Sequence, residues 1–121
     1  KVIAGFPGEQ DVDGGSTTLL SRTYDLSSAA SPKLSYWRWY SNDLGPGTHN
    51  EDVFTVELTN DDGATWHVVE VVGPTGPQTA GGWFAHQFRV SDVATPTSQV
   101  RLRFVASDLL NPSNVEAAID D

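Results

Sequence analysis

No stretch of this chain carries apolar residues at helical spacing for more than a turn or two. Short runs instead alternate polar and apolar residues and break at Gly, Pro, Asn, Asp and Ser. Period-two alternation puts successive side chains on opposite faces of an extended strand, so the pattern predicts an all-β chain. Strands are expected over Thr17 to Tyr24, Lys33 to Ser41, Val53 to Thr59, Thr65 to Val72, Trp83 to Arg89, Gln99 to Ser107 and Val115 to Ile119. The intervening segments, among them Asn42-Asp43-Leu44-Gly45-Pro46-Gly47 and Gly73-Pro74-Thr75-Gly76-Pro77, are turn chemistry. Short strands at this spacing suit a two-sheet antiparallel sandwich. No internal repeat and no linker divides the 121 residues, which read as one domain.

The alternation also says which faces are buried. Between Lys33 and Ser41, Leu34, Tyr36, Arg38 and Tyr40 share one face, and Ser35, Trp37, Trp39 and Ser41 share the other. Large aromatics on both faces mark a central strand. In the next strand Phe54, Val56 and Leu58 form the core face, against Val53, Thr55, Glu57 and Thr59. Val100, Leu102, Phe104 and Ala106 make a second core face, with Arg101, Arg103 and Ser107 opposite. Arg38, Glu57, Arg101 and Arg103 are then expected to line one polar, partly concave sheet surface.

Sixteen Asp and Glu against seven Lys and Arg leave a net charge of −9 and a pI near 4.5. That sign argues against nucleic acid and anionic membranes as partners. No apolar run approaches the roughly 18 residues that span a bilayer, and no charged-then-apolar leader is present, so no membrane insertion is expected. The absence of cysteine excludes a disulfide scaffold, a thiolate metal site and a cysteine nucleophile, and leaves the compartment open. The chain opens without Met and stops at Ile119-Asp120-Asp121, which reads as a module of a longer protein.

The sharpest local motif is Thr59-Asn60-Asp61-Asp62-Gly63-Ala64-Thr65-Trp66, an Asp-box. It predicts a hairpin turn in which Asp61 accepts hydrogen bonds from the turn, Gly63 supplies a positive φ and Trp66 folds back over the loop. The motif occurs in sialidases, whose propellers repeat it. A single copy here disfavours that fold and makes the motif structural.

Acidic residues gather near predicted strand ends: Asp11-Val12-Asp13-Gly14-Gly15, Asp43, Glu51-Asp52, Asp108 and Asp120-Asp121. Calcium takes six to eight oxygens, and loops at one end of a sandwich can supply them. The spacing is not that of an EF-hand, and the same residues also serve as turn formers and solvated charge. No catalytic constellation stands out. His49, His67 and His86 are scattered, no nucleophile elbow or His-Glu-x-x-His is present, and no carboxylate pair is singled out for glycoside chemistry. The remaining candidates are aromatics: Trp37, Trp39, Tyr40 and Trp83, the last following Gly81-Gly82. Sugar rings stack their C–H faces on such planes, and nearby Arg, Glu, Asn or Asp hold the hydroxyls. Trp66 and at least one of Trp37 and Trp39 are expected in the core instead.

The order of motifs runs Asp-x-Asp-Gly-Gly-x-Thr-Thr-Leu-x-Ser, Leu34-Ser-Tyr-Trp-x-Trp, Asp52-Val-Phe-x-Val, Asp61-x-Gly-x-Thr-Trp66, Gly82-Trp, Val100-Arg-Leu-Arg-Phe-Val-Ala-Ser-Asp and Ala118-Ile-Asp-Asp. Over nearly its whole length the chain resembles the MAM-like, cleaved-adhesin type of module, found in secreted bacterial peptidases and other extracellular multidomain proteins. The resemblance implies a jelly-roll β-sandwich of two antiparallel sheets. It also implies a structural Ca²⁺ between the N-terminal loop and the closing strand, held by Asp11, Asp13, Asp52 and Asp120. Such modules begin with a further strand that Lys1 to Gln10 only partly supplies, which leaves a sheet edge open. The expected function is non-catalytic binding or adhesion outside the cell, with polysaccharide or glycoprotein as ligand. Trp37, Trp39, Tyr40 and Trp83 would stack on the sugars, and Arg38, Glu57, Arg101 and Arg103 would hold the hydroxyls. The alternative is an accessory domain that positions a neighbouring secreted hydrolase and binds no free ligand.

Overall fold

A computed structural model describes residues 15–44, 50–109 and 114–120. Seven strands follow the expected order: β1 (Gly15–Leu20), β2 (Lys33–Leu44), β3 (Phe54–Thr59), β4 (His67–Val72), β5 (Ala80–Arg89), β6 (Arg101–Asp108) and β7 (Asn114–Asp120). They form two antiparallel sheets, one ordered β1-β6-β3-β4 and the other β5-β2-β7. The chain passes from one sheet to the other at every connection except the β3–β4 hairpin, in the jelly-roll manner. β2 is central in its sheet, as the aromatics on both of its faces require. No helix among the described residues is long and apolar enough to cross a membrane.

Two strands depart from their expected limits. β1 ends at Leu20, and beyond it the Ser21 N–H donates to the Leu102 carbonyl at 2.9 Å and the Tyr24–Val100 bridge continues the pairing. β5 starts at Ala80 because Gly81 and Gly82 lie inside the strand, with φ of 84° and 95°, and do not form a turn before it.

The core sits between the inner faces of β2, β3 and β6. Tyr36 meets Phe104 edge-on with ring centroids 5.1 Å apart, Tyr40 tilts against Phe54 at 5.6 Å, and Phe54 stacks on Phe104 at 6.4 Å. Val56, Leu58, Val90, Val100, Leu102 and Val115 fill the remainder. Burying each such side chain contributes about 1.5–3 kcal/mol. None of the four tryptophans belongs to this core, contrary to expectation. Tyrosines and phenylalanines occupy the space between the sheets, and the tryptophans lie outside it.

The β3–β4 hairpin carries one irregularity with consequences. Val56 is opposite Glu70 while Glu57 is opposite Val68, so Val69 is an extra residue, a β-bulge. The bulge switches the alternation and turns Glu70 to the same side as Val56 and Val72, the inside of the sandwich. At the other side, where β1 and β7 are the sheet edges, a cavity of about 230 Å³ opens between Leu19, Phe54, Phe104, Ala117 and Ile119.

Candidate functional site: a tryptophan face and a buried charge cluster

The expected site residues fall into four separate places. Trp37 and Trp39 alternate with the buried Tyr36, Arg38 and Tyr40 and so lie on the outer face of the β5-β2-β7 sheet. Trp83 of β5 is directly opposite Trp39, with Ala118 on the other side of it, and Trp37 is flanked by Ala85 and Asp120. Small neighbours keep this face flat. Trp37 is 49% exposed and Trp83 37%. Trp39 is half-buried because its indole lies over Gly81, where an added methyl carbon would come within 2.8 Å of Cζ2. Residues two apart on one face are separated by about 7 Å, and cross-strand partners by about 5 Å. The three indoles therefore rise from neighbouring positions on one outer sheet face.

Tyr40 does not share that face: it is fully buried and packs on Phe54. Its hydroxyl is held un-ionised, first by burial and then by the negative charge of Asp52.

Arg38, Glu57, Arg101 and Arg103 do not share one surface. Glu57 and Arg103 pair on the outer face of the four-stranded sheet, Nε to Oε1 at 3.1 Å and Nη2 to Oε2 at 3.2 Å, and the Arg103 guanidinium lies 4.1 Å from the centre of the Trp66 ring. Arg101 donates from Nε and Nη2 to the Ser21 carbonyl at 3.1 and 2.9 Å. These three residues brace the sheet and its hairpin, on the opposite side of the sandwich from the tryptophan platform. The Asp-box is built as its sequence predicts. Asp61 accepts from the Thr65 N–H at 2.8 Å, the Thr65 hydroxyl at 2.6 Å and the Thr59 hydroxyl at 2.7 Å, and Gly63 has φ 95°.

Arg38 lies inside, 5% exposed, because it shares the inner face of β2 with Tyr36 and Tyr40. Its partner is Glu70, turned inward by the bulge: Nε donates to Oε1 at 2.6 Å and Nη2 to Oε2 at 3.1 Å. Tyr36 donates its hydroxyl to Oε1 at 2.8 Å, His86 Nδ1 lies 3.4 Å from Oε2, and Gln78 accepts from Arg38 Nη2. Burial pushes the Glu70 carboxyl up, but the hydrogen bonds from Arg38 and Tyr36 and the Arg38 charge outweigh it and leave it below its ordinary value. Tyr36 is pushed well up by burial and by Glu70. Held by Arg38 and Tyr36 of β2, the Glu70 carboxylate of β4 braces the two sheets against each other. The sequence singles out neither Glu70 nor Gln78. Glu70 sits in His67-Val-Val-Glu-Val-Val72, where valines flank it on both faces, and the one signal is an arginine on a core face that must find a carboxylate.

The proposed calcium ligands do not converge among the described residues. Asp11 and Asp13, like His49 and Asp121, lie outside them. Asp52 is 3% exposed, its Oδ1 accepts from the Leu109 N–H at 2.9 Å, and its Oδ2 is buried without a hydrogen-bond partner. Its backbone carbonyl accepts from the Asn42 side chain at 2.7 Å, which places it at the Asn42 end of β2. Asp120 pairs instead with Trp37, five residues away along the strand and so roughly 16 Å distant. The carboxylate beside Asp52 is Asp108, also buried, which pairs with Gly15 at the start of β1. An orphan carboxylate oxygen fits a hard cation at Asp52, and Asp120 does not belong to that spot. No cluster of three or more metal-ligating side chains exists among the described residues.

Comparison with known proteins gives no matching family model, no similar curated protein and no similar solved structure.

Proposed function

We infer that the module is a non-catalytic, extracellular binding unit that holds polysaccharide or protein-linked glycan on the Trp37, Trp39 and Trp83 face. One observation carries this reading: three tryptophans share an outer sheet face, two of them substantially exposed, although the core has no tryptophan at all. Exposing indoles to water is costly, and an exposed apolar patch is kept when a ligand covers it. Three flat rings in a line and a corner suit successive sugar units, whose C–H faces are apolar while their rims are polar. The resemblance to cleaved-adhesin modules supports the same reading and the extracellular setting. A calcium ion would tie down the strand ends at Asp52 and Asp108, with Asp11 and Asp13 two to four residues before Gly15 in the chain. The buried, unpartnered Asp52 oxygen supports this.

Affinity electrophoresis through gels containing soluble polysaccharides, backed by a glycan array, tests the platform. At least one polysaccharide is expected to retard the protein, and Trp37→Ala and Trp83→Ala should each abolish the retardation with unchanged far-UV circular dichroism. Retardation that survives both substitutions overturns the reading. Absence of binding to every glycan overturns it too, and favours the accessory role beside a neighbouring hydrolase.

A further inference from the structure

We propose that the glycan held on the tryptophan face carries a carboxylate or sulfate group, which Lys33 and Arg89 receive at one end of that face. This rests on the carbohydrate reading and adds the charge of the ligand to it. Along β2, Lys33 and Ser35 precede Trp37 and Trp39 on the same outer face, and their β5 partners are Arg89, Gln87, Ala85 and Trp83 in that order. Lys33, Ser35, Gln87 and Arg89 are all exposed. Lys33 and Arg89 are direct cross-strand partners, which sets their Cβ atoms about 5 Å apart. Like charges so placed repel each other, and an anion between them turns that cost into a gain.

Neither cation is neutralised by the protein itself. Arg38 is paired with Glu70, Arg103 with Glu57 and Arg101 with the Ser21 carbonyl, while Arg22 lies over the Tyr24 ring at 4.6 Å. Among the described residues, Lys33 and Arg89 are the cations without such a contact. The β7 side of the face has the opposite sign, with Asp120 opposite Trp37 and Glu116 opposite Ser41. Lys33 is four residues before Trp37, roughly 13 Å along the strand, so the cations stand apart from these carboxylates. A saccharide lying along β2 with neutral rings on Trp39 and Trp37 passes Ser35 and Gln87, which suit its hydroxyls, and brings an acidic unit to Lys33 and Arg89. The guanidinium fork matches the paired oxygens of a carboxylate or sulfate. A densely charged polyanion is disfavoured, because its other charges would face Asp120, Glu116 and a net charge of −9.

A glycan array with neutral, carboxylated and sulfated members, read at low salt, tests this. The strongest binders should carry one of the two anionic groups, and comparing the two sets identifies which group the site receives. Lys33→Gln and Arg89→Gln should each weaken that binding about tenfold, with a melting midpoint no lower than the parent's. Raising NaCl to about 0.5 M should weaken binding by the parent and leave the residual binding of the double variant unchanged. Strongest binders that are neutral, yet are lost in Trp37→Ala, leave the carbohydrate reading standing and overturn this proposal. Acidic-glycan binding that survives both charge substitutions overturns it as well, as does equally tight binding of oligothymidylate, whose bases would stack on the indoles instead. Absence of binding to every glycan overturns both.

Discussion

The Arg38 guanidinium and the Glu70 carboxylate meet side-on, Nε to Oε1 at 2.6 Å and Nη2 to Oε2 at 3.1 Å, and so join the central strand of one sheet to the edge strand of the other. The pair is nearly shielded from water, with side-chain exposures of 6% and 13%. Two-point hydrogen bonds in such a setting fix geometry as well as energy. The brace therefore sets how β2 sits over β4, and with it the inclination of the tryptophan face.

Removing one half of the pair should cost much more than removing both. Glu70→Gln leaves a buried, uncompensated cation and is expected to lower stability by about 3–5 kcal/mol, while the double change Arg38→Met, Glu70→Leu should recover most of that loss. Urea unfolding followed by tryptophan fluorescence measures both. A double variant as unstable as the single one would show that the pair itself, and not the orphaned charge, supplies the stability. Because the Glu70 carboxyl lies below its ordinary value of 4.5, its contribution is complete above that pH and fades as the pH falls through the lower folded value.

Gly81→Ala should destabilise the fold by about 1–3 kcal/mol through its left-handed backbone, at φ 84°, and further because the new methyl would strike the Trp39 ring. In a Trp39→Ala background the same change should cost less, since only the backbone component remains. Thermal melts of the four proteins of this cycle separate the two contributions. Equal costs in both backgrounds would refute the contact.

Asp61 is held down to about 2 from 3.8, chiefly by the Thr65 hydroxyl and amide and then by Thr59. A carboxyl depressed in the folded state stabilises above its unfolded value and loses that contribution as the pH falls through the folded one. Asp61→Asn should therefore be less stable than the parent at neutral pH. The difference should close between pH 3.8 and about 2, as read from melting midpoints across that range. A constant difference would place the effect on geometry and not on charge.

Much of this was legible in the residues themselves. The seven strands, their two sheets, the core faces of β3 and β6 and the whole Asp-box follow from alternation and turn chemistry, because each is set by neighbours in sequence. The tryptophan platform follows in part: alternation puts Trp37 and Trp39 on one face, but which face is outside depends on the opposing sheet. Tyr40 and Arg38 were expected at the surface although they share a face with Tyr36, and the phenylalanines of β3 and β6 decide that this face is inside. Glu70 was hidden because a one-residue bulge at Val69 inverts the parity of its strand, and no local residue type announces that bulge. Asp52 and Asp120 look equivalent as acidic residues near strand ends. Register alone shows them at different positions along β2.

Millimolar CaCl₂ should raise the melting midpoint, and EGTA should lower it again. A ligand at a hundredfold excess over its Kd adds about 2.7 kcal/mol to the native state. Asp52→Asn is expected to remove the response, while Asp120→Asn, on the outer sheet face beside Trp37, should retain it. A midpoint indifferent to calcium, or a response lost only in Asp120→Asn, would contradict the assignment to Asp52.

The β3–β4 hairpin is the sole pairing between consecutive strands among the described residues. Every other strand must wait for a partner far along the chain, and closing those longer loops is what slows folding. As the polypeptide leaves the ribosome, the segment Phe54–Val72 can close around its Asp-box while β2, already made, still lacks both neighbours. Its first partner arrives with residues 80–89 and its second only with residues 114–120. For that interval the strand that carries two of the four tryptophans has open edges, so the risk of misassembly lasts until residues 114–120 emerge.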